Sequence, residues 1–341
     1  MTETAQRAPA NTVTAERDTT VTRGTVLIVL ASVCFGASGP LAKPAMDAGL
    51  SPQQVASVRI GLAAAVLLVF VALRRPALLR VRRADWRLLI GYGLVGVAGV
   101  QLLYFAAVAR IPIGVAMLLE FLSPVLVALW VRFVRRQMLP KKMWLGTLLA
   151  LVGLAMVAEV WQGLRLDALG LLAGIGAALC SAAYFLIGER GVSTLEPLGM
   201  VTLGMVVGTV AIFAVAPPWT LPFEILFSDT EFGHWRVPVW ALLVTCALLS
   251  TALAYLLSIS AMRHLPAHVV SVIALCEPVV ATALAWGILG QALSVAQFVG
   301  AAVLLTGAAI VQLASRARVV LLGDLPDPGV LPQDDKVQPD G

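Results

Sequence analysis

Two carboxylates stand where apolar sequence predicts lipid. Glu120 interrupts "IPIGVAMLLEFLSP" (Ile111 to Pro124), and Glu277 interrupts "LPAHVVSVIALCEP" (Leu265 to Pro278). An ionised side chain at the centre of a membrane helix costs about 2.5–3.5 kcal/mol on insertion scales, so it persists where it faces a cavity, meets a partner or titrates. Glu120 lies eight residues beyond Pro112, a helical rise of about 12 Å. Glu277 lies at a similar depth in its own run, so both acids are expected near the midplane. Acids so placed can recognise an amine or carry a proton; alternatively, a protonated or hydrogen-bonded carboxyl can lock helices together. Arg59, about one and a half turns into its run, admits three readings: contact with a substrate carboxylate, an ion pair with a buried acid, or a side chain that snorkels to the interface.

Uncharged polar residues fall at helical spacing beside these charges. Gln101 and Tyr104 share one face, and Thr251, Tyr255 and Ser258 share another. Ser38 and Tyr184 complete the candidate set. Each of these positions is either a cavity wall or an ordinary interhelical hydrogen bond, worth about 0.6 kcal/mol. Pro40, Pro44, Pro124 and Pro278 can break helices where irregular backbone lines a cavity, and Pro124 and Pro278 follow the two acids directly.

Other chemistries find little support. Cys34, Cys180, Cys246 and Cys276 each sit alone in an apolar run, which suits small buried hydrophobes better than zinc or disulfides. His264 and His268 are separated by Pro266 and have no third ligand nearby, so no metal site is expected. No Walker A sequence, paired aspartates or H-E-x-x-H is present, so neither an ATP-driven pump nor an intramembrane enzyme leads the readings, and no cofactor is expected.

The elements that position these residues are apolar runs. The chain has 341 residues, 60% hydrophobic and 13% charged, with a mean hydropathy of +0.92. A soluble domain carries about 25% charged residues, which puts this chain in the membrane class. Ten runs approach the roughly 20 residues that a spanning helix needs: 24–43, 54–73, 87–109, 112–134, 143–160, 168–188, 197–217, 239–262, 267–288 and 294–315. They lack the alternation of a β-barrel, so the expected fold is an all-α integral membrane protein. Residues 1–23 and 316–341 read as disordered cytoplasmic tails, the first preceding an uncleaved span.

Loop charge sets the orientation. Arg74, Arg75, Arg80, Arg82, Arg83 and Arg87 cluster after the second run; Arg132, Arg135, Arg136, Lys141 and Lys142 cluster after the fourth. The seventh loop holds Glu224, Asp229 and Glu231 against Arg236. The positive-inside rule then makes the even-numbered loops and both termini cytoplasmic, in the cell membrane. The same clustering explains the net charge of +5 as a topology signal rather than a nucleic-acid surface.

The chain also repeats itself. A shift of 154 residues lays Arg110–Val157 on His264–Val311 without a gap, pairing Pro112 with Pro266, Pro124 with Pro278, Gln137 with Gln291, Gly146 with Gly300 and Gly153 with Gly307. Under it Gln101 falls on Tyr255 and Tyr104 on Ser258. A shift of 146 pairs Gly24 with Gly170, Cys34 with Cys180 and Ser38 with Tyr184. Two five-helix units, 24–160 and 168–315, follow. Five is odd, so the second unit must enter the membrane from the opposite side. Inverted repeats of this kind recur in secondary carriers that bind near the midplane.

The chain resembles the EamA-like members of the drug/metabolite transporter superfamily. The resemblance rests on the duplicated five-helix unit, on "SPQQVASVRI" opening the second span, on P-x11-P in spans four and nine, and on the closing "ILGQALSVAQFVGAAVLLTGAAI". Gln291 stands where that closing pattern usually carries an acid. "IGVAMLLEFLSPVLVAL", "STALAYLLSISAMRHLP" and "CEPV" are most similar to threonine/homoserine-type exporters. The resemblance implies secondary export of amino acids or related small metabolites, with an amino-acid-like substrate and protons as partners. The alternatives from other classes are a lipid or lipid-linked metabolite flippase and an intramembrane enzyme.

Overall fold

A computed structural model describes residues 10–161, 167–290 and 292–323. Gln291 and the outer parts of both tails lie outside the described residues. Among the described residues, nine helical segments are long and apolar enough to cross a membrane: α1 (Thr19–Asp47), α2 (Pro52–Arg74), α3 (Trp86–Val108), α4 (Ile113–Val134), α6 (Ala168–Gly191), α7 (Pro197–Val215), α8 (Val239–Ala261), α9 (Ala267–Leu289) and α10 (Val295–Ala314). The fifth expected run, 143–160, is helix α5 (Lys141–Val157), whose 17 residues put it at the short edge of the spanning range. The helix containing α1 begins at Ala10 and that containing α10 runs on to Gly323, beyond the boundaries expected at 24 and 315.

Local chemistry fixes where these helices start and stop. Ser51 and Gln54 form a capping box at the start of α2, with Pro52 in its first turn. Asp167 caps α6 by accepting the Gly170 N–H at 2.8 Å. Gly290 ends α9 in the left-handed conformation. The seventh loop carries the antiparallel hairpin β1 (Asp229–Phe232) and β2 (Trp235–Pro238), turned through Gly233. It rests on α1 through Thr230, whose hydroxyl donates to the Pro44 carbonyl at 3.1 Å.

Several spans are not continuous α-helices. α4 breaks at Phe121 and Leu122, between Ile113–Glu120 and Ser123–Leu129. α9 breaks at Leu275 and Cys276, between Ala267–Ala274 and Glu277–Leu289. These are the same positions under the 154-residue shift. Proline is the cause in both: Pro124 and Pro278 stand in the first turn of the second segment and have no N–H for the carbonyl four residues back, which for Pro124 is that of Glu120. Wider π-type turns occur at Tyr92–Gly99 in α3 and Leu248–Leu253 in α8, which overlap under the same shift.

Glycine seams set the closest helix approaches. α5 and α10 meet through Gly146, Gly153, Gly300 and Gly307. A Cβ on Gly153 would lie 2.3 Å from the Leu304 nitrogen, and one on Gly307 would lie 2.4 Å from the Ala150 nitrogen. These are the glycines that the 154-residue shift pairs, so each repeat packs on its own counterpart. Gly204 and Gly208 of α7 do the same against Tyr92 and Val97 of α3, as the G-x-x-x-G spacing suggests.

Contacts gather alternate loops at opposite ends of the bundle. At one end Arg75 pairs with Glu196 at 3.0 Å and Arg263 donates to the Leu195 carbonyl at 3.3 Å. At the other, Glu159 meets Ser294, and Arg110 lies 3.7 Å from Asp167. The first end holds the two arginine-rich loops and is called the basic end below.

Candidate functional site

Four helices turn one face each toward a chamber of about 290 Å³. α1 contributes Gly39, Ala42 and Met46, α2 Val55, Ala56 and Arg59, α3 Gln101, Tyr104 and Val108, and α4 Ile113, Met117 and Glu120. Apart from the adjacent pair Val55 and Ala56, the spacing within each set is three or four residues, the period of one helical face. Tyr255 of α8 and Glu277 of α9 close the wall. The chamber reaches the ends of α1, α3 and α4 remote from the basic end, at Met46, Val108 and Ile113.

A narrower chamber of about 100 Å³ continues toward the basic end and shares Gln101, Glu120, Tyr255 and Glu277 with the first. Its further lining is rich in hydroxyls: Ser123, Ser181, Tyr184, Ser258 and Ser271. Tyr184 donates to Ser258 at 2.9 Å and Ser181 to Ser123 at 3.1 Å. Phe35, Tyr255, Tyr184 and Tyr92 form a chain of aromatic contacts with centroids 5.1, 5.6 and 5.7 Å apart, the first two edge-on. This stack gives the site a stiff wall.

The eight residues proposed to bind or couple therefore surround two joined chambers, with both acids and Gln101 at the junction. Neither carboxyl of Glu120 or Glu277 accepts a hydrogen bond from a described residue, and neither forms an ion pair among the described residues. Arg59 donates through Nη1 to the Ser38 hydroxyl, while its buried Nε has no partner among the described residues. A guanidinium and two carboxyls that face one cavity without pairing can together meet a ligand of mixed charge.

Pro124 and Pro278 are buried and line neither chamber. They act on the site through the backbone, by ending the helical segment that carries Glu120 and beginning the one that carries Glu277. Sequence reasoning missed Ser123, Ser181 and Ser271 as wall residues, although the repeat holds a signal for each. Ser123 is the counterpart of Glu277 and Ser271 of Met117 under the 154-residue shift; Ser181 is the counterpart of Phe35 under the 146-residue shift. All three counterparts line a chamber.

Comparison with known proteins places this architecture. The model of the EamA-like transporter family matches residues 22–158 and 168–313. The threonine/homoserine exporter RhtA of Escherichia coli K12 is 30% identical over 270 residues, covering 79% of this chain and 83% of its own. An uncharacterized transporter of Bacillus subtilis 168, YyaM, is 26% identical over 290 residues, covering 83% and 91%. An uncharacterized inner membrane transporter of Salmonella typhimurium LT2, YicL, is 23% identical over 303 residues, covering 87% and 97%. A solved crystal structure superposes with a TM-score of 0.66 at 22% identity, over 87% of this chain and 99% of that one, which establishes the likeness of fold. The chain is a multi-pass membrane transporter that belongs to the EamA-like transporter family.

Proposed function

We propose that this transporter is a secondary carrier of an amino-acid-like zwitterion, exported across the cell membrane by alternating access. Its two five-helix halves, 24–160 and 168–315, form an inverted pair of ten spans, with the basic end and both termini in the cytoplasm. The shared register of the helix breaks in α4 and α9, and the α5–α10 seam built from repeat-equivalent glycines, support the inverted pair. Loop charge supports the orientation. The likeness to RhtA, an exporter, and to YicL, an inner membrane transporter, supports direction and membrane.

The observation that carries the reading is the set of unpaired opposite charges on one cavity. Arg59, held by Ser38, lines the wide chamber and receives the substrate carboxylate there. Glu120 and Glu277, at the junction of the chambers, receive the amine, and one of them exchanges a proton as the halves rock. Gln101 and the tyrosine hydroxyls complete the polar contacts. Apart from that proton exchange, nothing in this cycle makes or breaks a covalent bond; the relatives' names as transporters favour a carrier over an enzyme.

The test is transport in proteoliposomes with an imposed pH gradient, with amino acids tested first. Glu120→Gln and Glu277→Gln are each expected to cut transport by more than about tenfold, and one of them to remove its dependence on the pH gradient. Arg59→Ala is expected to raise the KM for zwitterions while leaving amines that lack a carboxylate little changed. Wild-type rates in both glutamine variants would sink the acid-centred mechanism.

A further inference from the structure

Two glycines three residues apart on α1, Gly36 and Gly39, both line the wide chamber, but they are glycine for different reasons. At Gly36 an added Cβ would lie 2.8 Å from the Glu277 carbonyl oxygen and 2.8 Å from the Val280 side chain. That glycine is a packing glycine: it lets α1 approach α9 at the level of the acid. At Gly39 an added Cβ meets no heavy atom within 4 Å. Gly39 lies in the helical segment Ser38–Asp47, has no positive φ and is exposed on the chamber side. Inside a helix glycine is destabilising relative to alanine; here it precedes Pro40, whose ring crowds a preceding Cβ, while nothing beyond these chain neighbours fills the space beside it.

What the missing side chain leaves is volume. Gly39 sits beside Ser38, which holds Arg59. Ala42 and Met46 follow it on the same face at i+3 and i+7, so small residues come first and a flexible one stands at the mouth. A substrate whose carboxylate reaches Arg59 has space for its own side chain over Gly39 and Ala42. We propose that Gly39 sets the size limit of the substrate side chain, with Ala42 as the adjoining part of the same recess. The inference rests on the reading of the wide chamber as the substrate site, and it assigns a specificity role within it.

The experiment has two arms that fail separately. In a chain with Cys34, Cys180, Cys246 and Cys276 replaced by alanine, and shown by thermal melting to remain folded, Gly39→Cys is treated in proteoliposomes with thiosulfonate reagents of increasing size. Fast labelling by small reagents, with a sharp drop for bulky ones, is expected. A cysteine that reacts only after denaturation overturns the inference and leaves the zwitterion reading standing. In the second arm, Gly39→Ala, Gly39→Val and Gly39→Leu are compared in transport competition across amino acids of increasing side-chain length. Each step up in size is expected to exclude the longest competitors first, by about tenfold or more for each methylene that no longer fits, with melting curves of all three variants separating loss of fold from exclusion. An unchanged rank order of competitors across the three variants also overturns it. If the wild-type chain carries no amino acid, the zwitterion reading fails, while the labelling arm still decides whether Gly39 faces an open, size-limited recess.

Discussion

The two ends of the bundle use equivalent positions for opposite purposes. At the basic end, Glu189 near the end of α6 accepts the Ala267 N–H at 2.9 Å, the first residue of α9, and pairs through its other oxygen with Arg135 at the end of α4. One carboxylate thus caps a helix of the second half and holds an arginine of the first. At the far end, the residue equivalent to Glu189 under the 146-residue shift is Lys43, and the residue equivalent to Ala267 under the 154-residue shift is Ile113. An ammonium has no lone pair to offer a helix N-terminus. Lys43 instead pairs with Asp47 on its own helix at 2.9 Å, and Ile113 is 64% exposed at the rim of the wide chamber. Reversing one charge between repeat positions leaves α4 at the far end without the side-chain acceptor that holds α9 at the basic end.

The proposed rocking requires that the halves stay joined whichever end is open, and the backbone-to-backbone approach of α5 and α10 makes their seam the joint to test. The largest expected effect therefore comes from Gly153→Leu. Its Cβ alone would lie 2.3 Å from the Leu304 nitrogen and 2.6 Å from the Gly300 carbonyl oxygen, both backbone atoms that cannot swing aside. Overpacking against side chains costs about 1–3 kcal/mol, and against backbone more, so the yield of folded protein in detergent should collapse. A Gly153→Leu chain that melts like wild type would show that the seam does not join the halves.

Breaking the clamp should act on the opening rather than on the fold. Glu189→Ala removes both the acceptor for Ala267 and the partner of Arg135, whose side chain is 33% exposed against 18% for Glu189. A pair buried to this degree falls between the exposed and buried cases, about 1–3 kcal/mol, or roughly five- to 150-fold in the ratio of closed to open basic end. The readout is thiol labelling of Ser181→Cys, in the narrow chamber, from the basic side. Labelling should rise in Glu189→Ala and rise less in Glu189→Gln, which keeps an oxygen for the Ala267 N–H and loses only the charge. Equal labelling in all three would mean that the basic end is shut by packing alone.

Much of this was legible in the chain. Apolar runs gave the helices, because a membrane helix satisfies its own backbone and needs only a continuous greasy surface. The two acids, Arg59 and the Gln101–Tyr104 stripe were readable because polarity at membrane depth is costly and therefore informative. Two kinds of feature escaped. The π-type turns at Tyr92–Gly99 and Leu248–Leu253 contain no proline and share no single residue type that would mark them in the sequence. Glu189 lies at the last turn of an apolar run, where an acid is commonplace; only the fold brings Arg135 and Ala267 to it. Ser181 went unnoticed because a lone serine in a small-residue helix reads as packing.

The smallest effect tests the comparison most directly. Lys43→Glu places at the far end the residue type that the basic end uses, so it should favour closing the wide chamber by capping α4 at Ile113. An acid at a helix N-terminus contributes about 0.3–1 kcal/mol, so the shift expected is roughly two- to fivefold, seen as slower labelling of Gly39→Cys. Lys43→Ala is the control. It breaks the exposed pair with Asp47, which contributes little, yet supplies no acceptor, and its labelling should match wild type. If the alanine and glutamate variants slow labelling equally, the lysine props the chamber open through its bond to Asp47, and the symmetry between Lys43 and Glu189 is one of position only. If only the glutamate does so, the open end is open because its helix N-terminus has no acid to hold it.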